Sequence, residues 1–181
     1  MPRRNILKNY SSIKIDILGK VHDNIEVSTY TKEFVFNNKG EYFKDHERKE
    51  MNIPDEEVIV LNNLIKSGFL NSPELKYEVI FYINEQRSAI GMNKLVEHNL
   101  WNDLCITAIV TQRQRKKDTE NASKNGRYKL QLLNMENLEI IKVSILGEIE
   151  ETDPEHGISI TFLNNKVARI SQEMDYQFHI T

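Results

Sequence analysis

The residues of this sequence best suited to bind a ligand are basic, and they lie in two separate segments. Residues 111–129 carry seven cations against two acids, and residues 1–12 carry three cations and no acid. Clustered cations bind polyanions because they release counterions from nucleic-acid phosphates and are attracted to anionic lipid. The candidate polyanion-binding residues are Arg3, Arg4, Lys8, Arg113, Arg115, Lys116, Lys117, Lys124, Arg127 and Lys129. The competing interpretation is a solvated loop between two strands, because Asp118 and Glu120 dilute the run and no aromatic residue lies within residues 111–127 to stack on a base.

An acidic segment later in the chain offers oxygen and imidazole ligands for a metal ion. It contains Glu148, Glu150, Glu151, Asp153, Glu155 and His156. The segment lacks the ligand spacing of a calcium loop, and Pro154 and Gly157 are typical of a hairpin connection. We therefore predict a structural turn here and no metal site.

The residue types that perform catalysis are scattered. The five histidines are His22, His46, His98, His156 and His179, with no H-E-x-x-H motif and no paired cysteines. Cys105 lies in a predicted buried strand, where a thiol is usually inert packing. Neither G-x-G-x-x-G nor G-x-x-x-x-G-K-[ST] occurs. We expect no catalytic residues and no cofactor, and a protein that is not an enzyme.

The length and the charge distribution of the chain predict how it is organised. With 181 residues, we expect a basic flexible tail over residues 1–12 and a single α+β domain over 13–181 with a polar basic loop at 111–127. The two basic segments together carry +8, which leaves −11 for the rest of the chain. One cysteine, no apolar run of membrane-spanning length and no secretory signal predict an intracellular protein.

Two similar stretches predict central strands of one sheet. Residues 13–21 read I-K-I-D-I-L-G-K-V, and residues 138–149 read L-E-I-I-K-V-S-I-L-G-E-I. Both place apolar side chains at alternate positions and then continue with Leu-Gly, where Gly19 and Gly147 tolerate a bulge. Their surroundings differ, so we interpret them as convergence on a good strand pattern and not as an internal repeat.

The remaining elements complete an α+β prediction. A helix is expected from I-P-D-E-E at residues 53–57 to about Gly68, and a second one from Ser88 to about Trp101. Residues 37–52 and 111–126 are expected to be loops, and residues 22–24 a turn. Further strands are predicted over residues 25–36, 75–83, 104–110, 128–133, 158–163 and 174–180. The predicted fold is therefore a mainly antiparallel sheet of about seven to eight strands with two helices packed on it.

The order of these elements resembles that of a known family over residues 13–150. A helix at P-D-E-E-V-I-V-L-N-N-L-I, a strand at L-K-Y-E-V-I-F-Y-I and a long hairpin in M-E-N-L-E-I-I-K-V-S-I-L-G-E-I-E-E-T-D look like the core of rhabdovirus matrix proteins of the short plant-virus type. The resemblance implies a small α+β protein with a basic arm that self-associates, condenses a viral nucleocapsid and touches membrane. The sequence departs from that pattern because it has no P-P-x-Y or P-[ST]-A-P motif.

The expected function is that of a non-enzymatic assembly protein. It would self-associate and bind a polyanionic partner, such as RNA, nucleoprotein or an anionic membrane surface. The alternative is a regulatory protein-binding module, an inhibitor or an adaptor, that acts through an exposed sheet edge. An uncharacterised enzyme is the third possibility.

Overall fold

A computed structural model describes residues 12–36, 42–113 and 141–172 of the chain. These residues form seven strands and three α-helices, with a single 3₁₀ turn at Phe69–Asn71. In chain order, the elements are β1 (Ser12–Ile17), β2 (Lys20–Phe36), β3 (Tyr42–Glu50), α1 (Asp55–Lys66), α2 (Pro73–Ala89), α3 (Glu97–Asp103), β4 (Leu104–Arg113), β5 (Ile141–Ile149), β6 (Asp153–Leu163) and β7 (Lys166–Ser171).

All seven described strands belong to one mixed sheet. Its order is β1-β2-β4-β5-β6-β7, and β3 also pairs with β2. β4 occupies one edge of β2. Both β1 and β3 pair with residues of β2 that also pair with β4, so β1 and β3 lie one after the other along the opposite edge of β2. β2 and β4 are parallel, and the other pairs are antiparallel. The expected α+β class with a mainly antiparallel sheet is confirmed, but the described part holds three helices and not two.

The hydrophobic core lies between one face of the sheet and the helices. Val27, Ile109, Ile145 and Ile160 stand opposite one another across four neighbouring strands, and all are fully buried. The helices contribute the side chains that pack on this row, which are Val58, Leu61, Leu64, Leu75, Val79, Ile83 and Leu100. Burial of such branched apolar side chains stabilises the fold by roughly 1.5–3 kcal/mol each.

The first predicted helix is confirmed. α1 begins after Pro54 with Asp55, Glu56 and Glu57 in its first turn, where carboxylates interact favourably with the helix dipole. The chain leaves α1 through Gly68, whose φ of 76° is a left-handed conformation that glycine adopts without strain.

The strand predicted over residues 75–83 is wrong, because these residues lie within α2. Leu75, Val79 and Ile83 are spaced by four, which satisfies both the period of a strand and that of a helix. The start of the helix decides between the two: the Ser72 hydroxyl accepts a hydrogen bond from the Leu75 amide at 3.1 Å, and Pro73 fits the first turn.

The predicted second helix from Ser88 is also wrong in its position. Ser88 lies in the last turn of α2, which ends at Ala89. Gly91 follows with a φ of 76°, and the next helix, α3, forms only at Glu97. The glycine ends one helix and separates it from the next.

The first hairpin turns earlier than predicted. Leu18 and Gly19, with φ of 57° and 73°, form a two-residue turn, whereas residues 22–24 lie inside β2. Asn71 holds this turn, since its side chain accepts from the Gly19 amide at 2.7 Å and donates to the Asp16 carbonyl at 3.1 Å. In the strand order, β1 lies at an edge of the described sheet, whereas its pattern predicted a central strand.

Other boundaries differ for physical reasons. The predicted loop at 37–52 contains β3, a charged strand, and charged residues are common on edge strands. Thr111, Gln112 and Arg113 belong to β4 and not to the polar loop. β7 was not predicted, although the Asn164–Asn165 turn before it is confirmed, with φ of 49° and 59°.

Several predictions lie outside the described residues. They concern the tail at residues 1–11, residues 114–127 of the basic loop, and the strands at 128–133 and 174–180. Among the helices of the described residues, none has the length and apolar content needed to cross a membrane.

Candidate functional site

The fold attaches the two basic segments to one sheet at different levels. β1 starts at Ser12, opposite Glu26, which is itself opposite Ala108 midway along β4. β4 runs parallel to β2 and ends at Arg113, where it pairs with Ile141 at the start of β5. We call the end of the sheet at Arg113 and Ile141 the anchor end.

Residues 114–140 both begin and end at the anchor end. Arg113 and Ile141, which flank this segment, are direct partners in the β4–β5 ladder. Ser12 and Arg113 lie two strands apart and differ by about five residues along the strands, a separation of roughly 19 Å. An extended arm of eleven residues spans up to roughly 36 Å, so the arm before Ser12 can cross this distance.

The acidic segment lies at the opposite end of the sheet. β5 runs from Ile141 to Ile149, a length of roughly 27 Å, before the chain turns into β6. Glu148, Glu150, Glu151 and Glu155 are exposed around this turn. Thus the described acids and the attachment point of residues 114–140 are at opposite ends of β5, and Ser12 lies between these two levels, in line with Leu146.

Structural contacts hold the acidic turn, which is shorter than predicted because Pro154 and Gly157 lie in β6. Asp103 accepts from the Glu151 amide at 2.8 Å. The buried Arg87 guanidinium donates to the Thr152 hydroxyl at 3.1 Å and to the Asn93 carbonyl at 2.6 Å. The described residues hold no group of three or more His, Cys, Asp or Glu side chains arranged to bind a metal.

The ten predicted polyanion-binding residues are placed only in part. Arg113 is the last residue of β4, and the other nine lie outside the described residues. The described part contains 14 Lys and Arg residues against 20 Asp and Glu residues, a formal charge of −6. The body that carries the basic segments is therefore acidic.

The second face of the sheet carries a buried polar layer that sequence analysis missed. The Ser144 and Thr161 hydroxyls lie 2.8 Å apart on neighbouring strands. Lys142 is 2% exposed on the same face. Burial, together with the smaller effect of the nearby Arg169 charge, lowers the pKa of Lys142 to about 7. Lys142 and Ser144 are the polar residues of an alternating strand, and such residues normally point to water.

Three buried polar atoms of this layer have no hydrogen-bond partner among the residues that the structure describes. They are the Ser28 and Ser159 hydroxyl oxygens and the Gln112 amide oxygen. They lie on three different strands and in three different cross-strand rows, so they do not converge on one point.

Cys105 and His22 lie on different strands of the described part of the chain, and Cys105 is not buried as the sequence predicted. Cys105 is exposed on β4, although its strand was predicted to bury it. Its neighbours Leu104 and Ile106 point into the core, and the alternation of the strand turns the thiol outward. His22 is buried and contacts the Ile17 carbonyl at 3.3 Å, and this burial lowers its pKa.

A groove between α2 and β7 is a feature that the sequence analysis did not find. It has a volume of about 370 Å³ and two walls, with Tyr77 and Phe81 on the helix and Val167 and Ile170 on the strand. The two rings stack with centroids 6.4 Å apart and planes inclined by 25°. The strand prediction for residues 75–83 hid this groove, because a strand would place these rings on the same face as Leu75.

Comparisons of the chain with protein-family models, with curated proteins and with solved structures found no match. The resemblance to rhabdovirus matrix proteins stays a prediction. One of the elements that carry it, the strand at residues 75–83, is a helix.

Proposed function

We propose that this chain is a non-enzymatic assembly protein that self-associates and uses its two basic segments to bind a polyanion. The observation that supports this proposal is that residues 1–11 and 114–140 join the sheet at points that lie close together, at Ser12 and at Arg113. Two arms that start roughly 19 Å apart can contact one polyanionic chain together. Once one arm is bound, the other arm is held close to the same polyanion, so the two arms together bind more tightly than either arm alone.

The charge distribution also favours this function. The described residues carry a formal charge of −6, and the acidic turn lies at the end of β5 opposite Ile141. A phosphate-bearing partner is repelled by the body and attracted by the arms, which orients it at the anchor end. Exposed large apolar side chains, including Ile59, Ile90 and Val96, supply surface for self-association.

Fluorescence anisotropy with single-stranded RNA tests the polyanion part. Neutralisation of the loop (Arg113→Gln, Arg115→Gln, Lys116→Gln and Lys117→Gln together) should weaken binding about tenfold or more and make the slope of log K against log salt less steep by about three. Removal of residues 1–11 should weaken it further. The matched control neutralises four exposed lysines of the body, Lys14, Lys66, Lys94 and Lys166.

Each outcome decides the proposal. Equal losses in the loop variant and the control variant, or no RNA affinity at low salt, would contradict RNA binding. Flotation with vesicles of zwitterionic lipid, with and without phosphatidylserine, separates a membrane surface from RNA as the polyanion. A strict monomer in sedimentation across the accessible concentration range would contradict self-association.

A second candidate is a regulatory module that binds another protein at a sheet edge. β7 is the last strand of the described sheet, and the α2–β7 groove runs beside it. This function predicts a stable one-to-one complex whose affinity does not change when the loop at 113–117 is neutralised.

A further inference from the structure

The outward face of α2 combines aromatic rings with carboxylates. Leu75, Val79 and Ile83 bury one side of the helix. On the other side, Tyr77 is 70% exposed and Phe81 is 58% exposed. Glu74, Glu78 and Glu85 lie on the same outward side, because their spacings of four and seven residues return to one face of a helix. We call these five outward residues, Glu74, Tyr77, Glu78, Phe81 and Glu85, the aromatic–acidic stripe.

The stripe is unfavourable on a helix that stands alone in water. Glu74 and Glu78 are four residues apart, and like charges at this spacing repel by roughly 0.2–0.5 kcal/mol. Two neighbouring exposed rings also keep apolar surface in contact with water. Both costs are relieved by a ligand that is cationic and partly apolar.

β7 turns this stripe into one wall of a groove. Val167 and Ile170 supply apolar side chains on the other wall. Arg169 also lines the groove, so the lining residues carry two carboxylates, Glu78 and Glu85, against one guanidinium. A volume of about 370 Å³ accommodates a few side chains but not a folded domain.

We propose that the α2–β7 groove binds a short segment of a partner protein in which a Lys or Arg lies next to a large apolar side chain. The cation packs on the faces of Tyr77 and Phe81, as cations do on aromatic rings, and pairs with Glu78 or Glu85. The apolar side chain packs on Val167 and Ile170. The carboxylates repel phosphates, so this groove does not bind the polyanion.

This inference deepens the second candidate function and does not depend on the first. It names the site and the chemistry of the bound segment. The anchor end and the groove use different residues, so loss of peptide binding and loss of RNA binding can be measured separately on the same variants.

Selection from a random peptide library displayed on phage, with the full chain as target, tests the proposal. Peptides that are retained should be enriched in Lys or Arg beside an apolar or aromatic residue. Fluorescence polarisation of a selected peptide should show a loss of about tenfold or more with Phe81→Ser, and about fivefold with Glu78→Gln and Glu85→Gln together. The charge-removing pair should also reduce the salt dependence of binding.

Matched controls change the same chemistry elsewhere. Ile59→Ser removes a similarly exposed apolar side chain from α1, and Glu155→Gln removes an exposed carboxylate from β6. Both should bind the peptide like the wild type and, like Phe81→Ser, keep the wild-type circular dichroism spectrum. No enrichment of basic peptides, or equal losses in control and groove variants, would overturn the proposal. So would a tenfold gain in peptide affinity on removal of residues 1–11, because a segment of the chain itself would then occupy the groove.

Discussion

Gly147 packs directly against the backbone carbonyl of Cys105 across the β4–β5 ladder. A Cβ atom on Gly147 would lie 2.8 Å from this carbonyl oxygen and 3.2 Å from the Ile106 Cδ1 atom. The strand register shifts next to this position on both sides of β5, but the extra residues lie on β4 and β6 and not in β5, where the bulge was predicted. We therefore expect Gly147→Ala to lower the free energy of unfolding by about 1–3 kcal/mol, measured by urea denaturation.

The other Leu-Gly pair provides the comparison. Gly19 needs its φ of 73° for the hairpin turn, and its nearest contact is the end of a flexible Lys76 side chain at 3.4 Å. Asparagine tolerates a left-handed backbone, so Gly19→Asn should cost less than Gly147→Asn. Equal losses of stability for the two variants would show that close packing does not determine the cost of a side chain at Gly147.

Arg87 links the end of α2 to two distant segments and should be essential for stability. Its guanidinium donates to the Asn93 carbonyl and to the Thr152 hydroxyl while it is 5% exposed. Arg87→Met keeps the volume but leaves both acceptors without this donor. We expect a loss of about 3 kcal/mol in urea denaturation, since hydrogen bonds to a charged group contribute about 1.5–3 kcal/mol each.

The ion pair of Arg87 with Glu151 serves as the control. The Glu151 side chain is 67% exposed and 3.7 Å from the guanidinium, so Glu151→Gln should cost less than about 1 kcal/mol. The loss of stability of Arg87→Lys should lie between those of Arg87→Met and Glu151→Gln, because a lysine ammonium cannot donate in both directions as the guanidinium does. A change of less than about 0.5 kcal/mol for Arg87→Met would contradict this role.

The sequence predicted those elements in which local chemistry and periodicity agree. α1 has both an acidic first turn and a helical apolar stripe, and β5 has strict alternation. In α2 the two signals disagree: spacing by four fits either structure, and the signal that decides is Ser72-Pro73-Glu74 at its start. Weighing this capping sequence above the alternation would have revealed Tyr77 and Phe81 as an exposed pair.

Strand order and two-sided burial could not be predicted from local pattern. Ile13–Ile17 and Ile141–Ile145 have the same alternation, yet one lies at an edge and the other at the centre of the described sheet. Their positions depend on long-range pairing, such as the parallel contact of β2 with β4. For the same reason, the alternation of β5 contains no sign that Lys142 is buried.

The burial of Lys142 predicts an unusual pH dependence of stability. Its pKa is about 7 in the folded protein and 10.5 when exposed, so the unfolded chain binds more protons between these values. Stability should therefore rise as pH rises through this range. Between pH 7 and pH 9 the gain should be on the order of 2 kcal/mol, measured by urea denaturation at each pH.

Lys142→Met removes the titrating group and provides the reference. The variant should be more stable than the wild type at pH 7, and the difference between them should shrink by about 2 kcal/mol at pH 9. His22, whose pKa is also lowered by burial, affects stability only as pH falls below 6.5, so it does not contribute in this window. If the two proteins show parallel stability curves from pH 7 to pH 9, Lys142 is not held in a desolvated site.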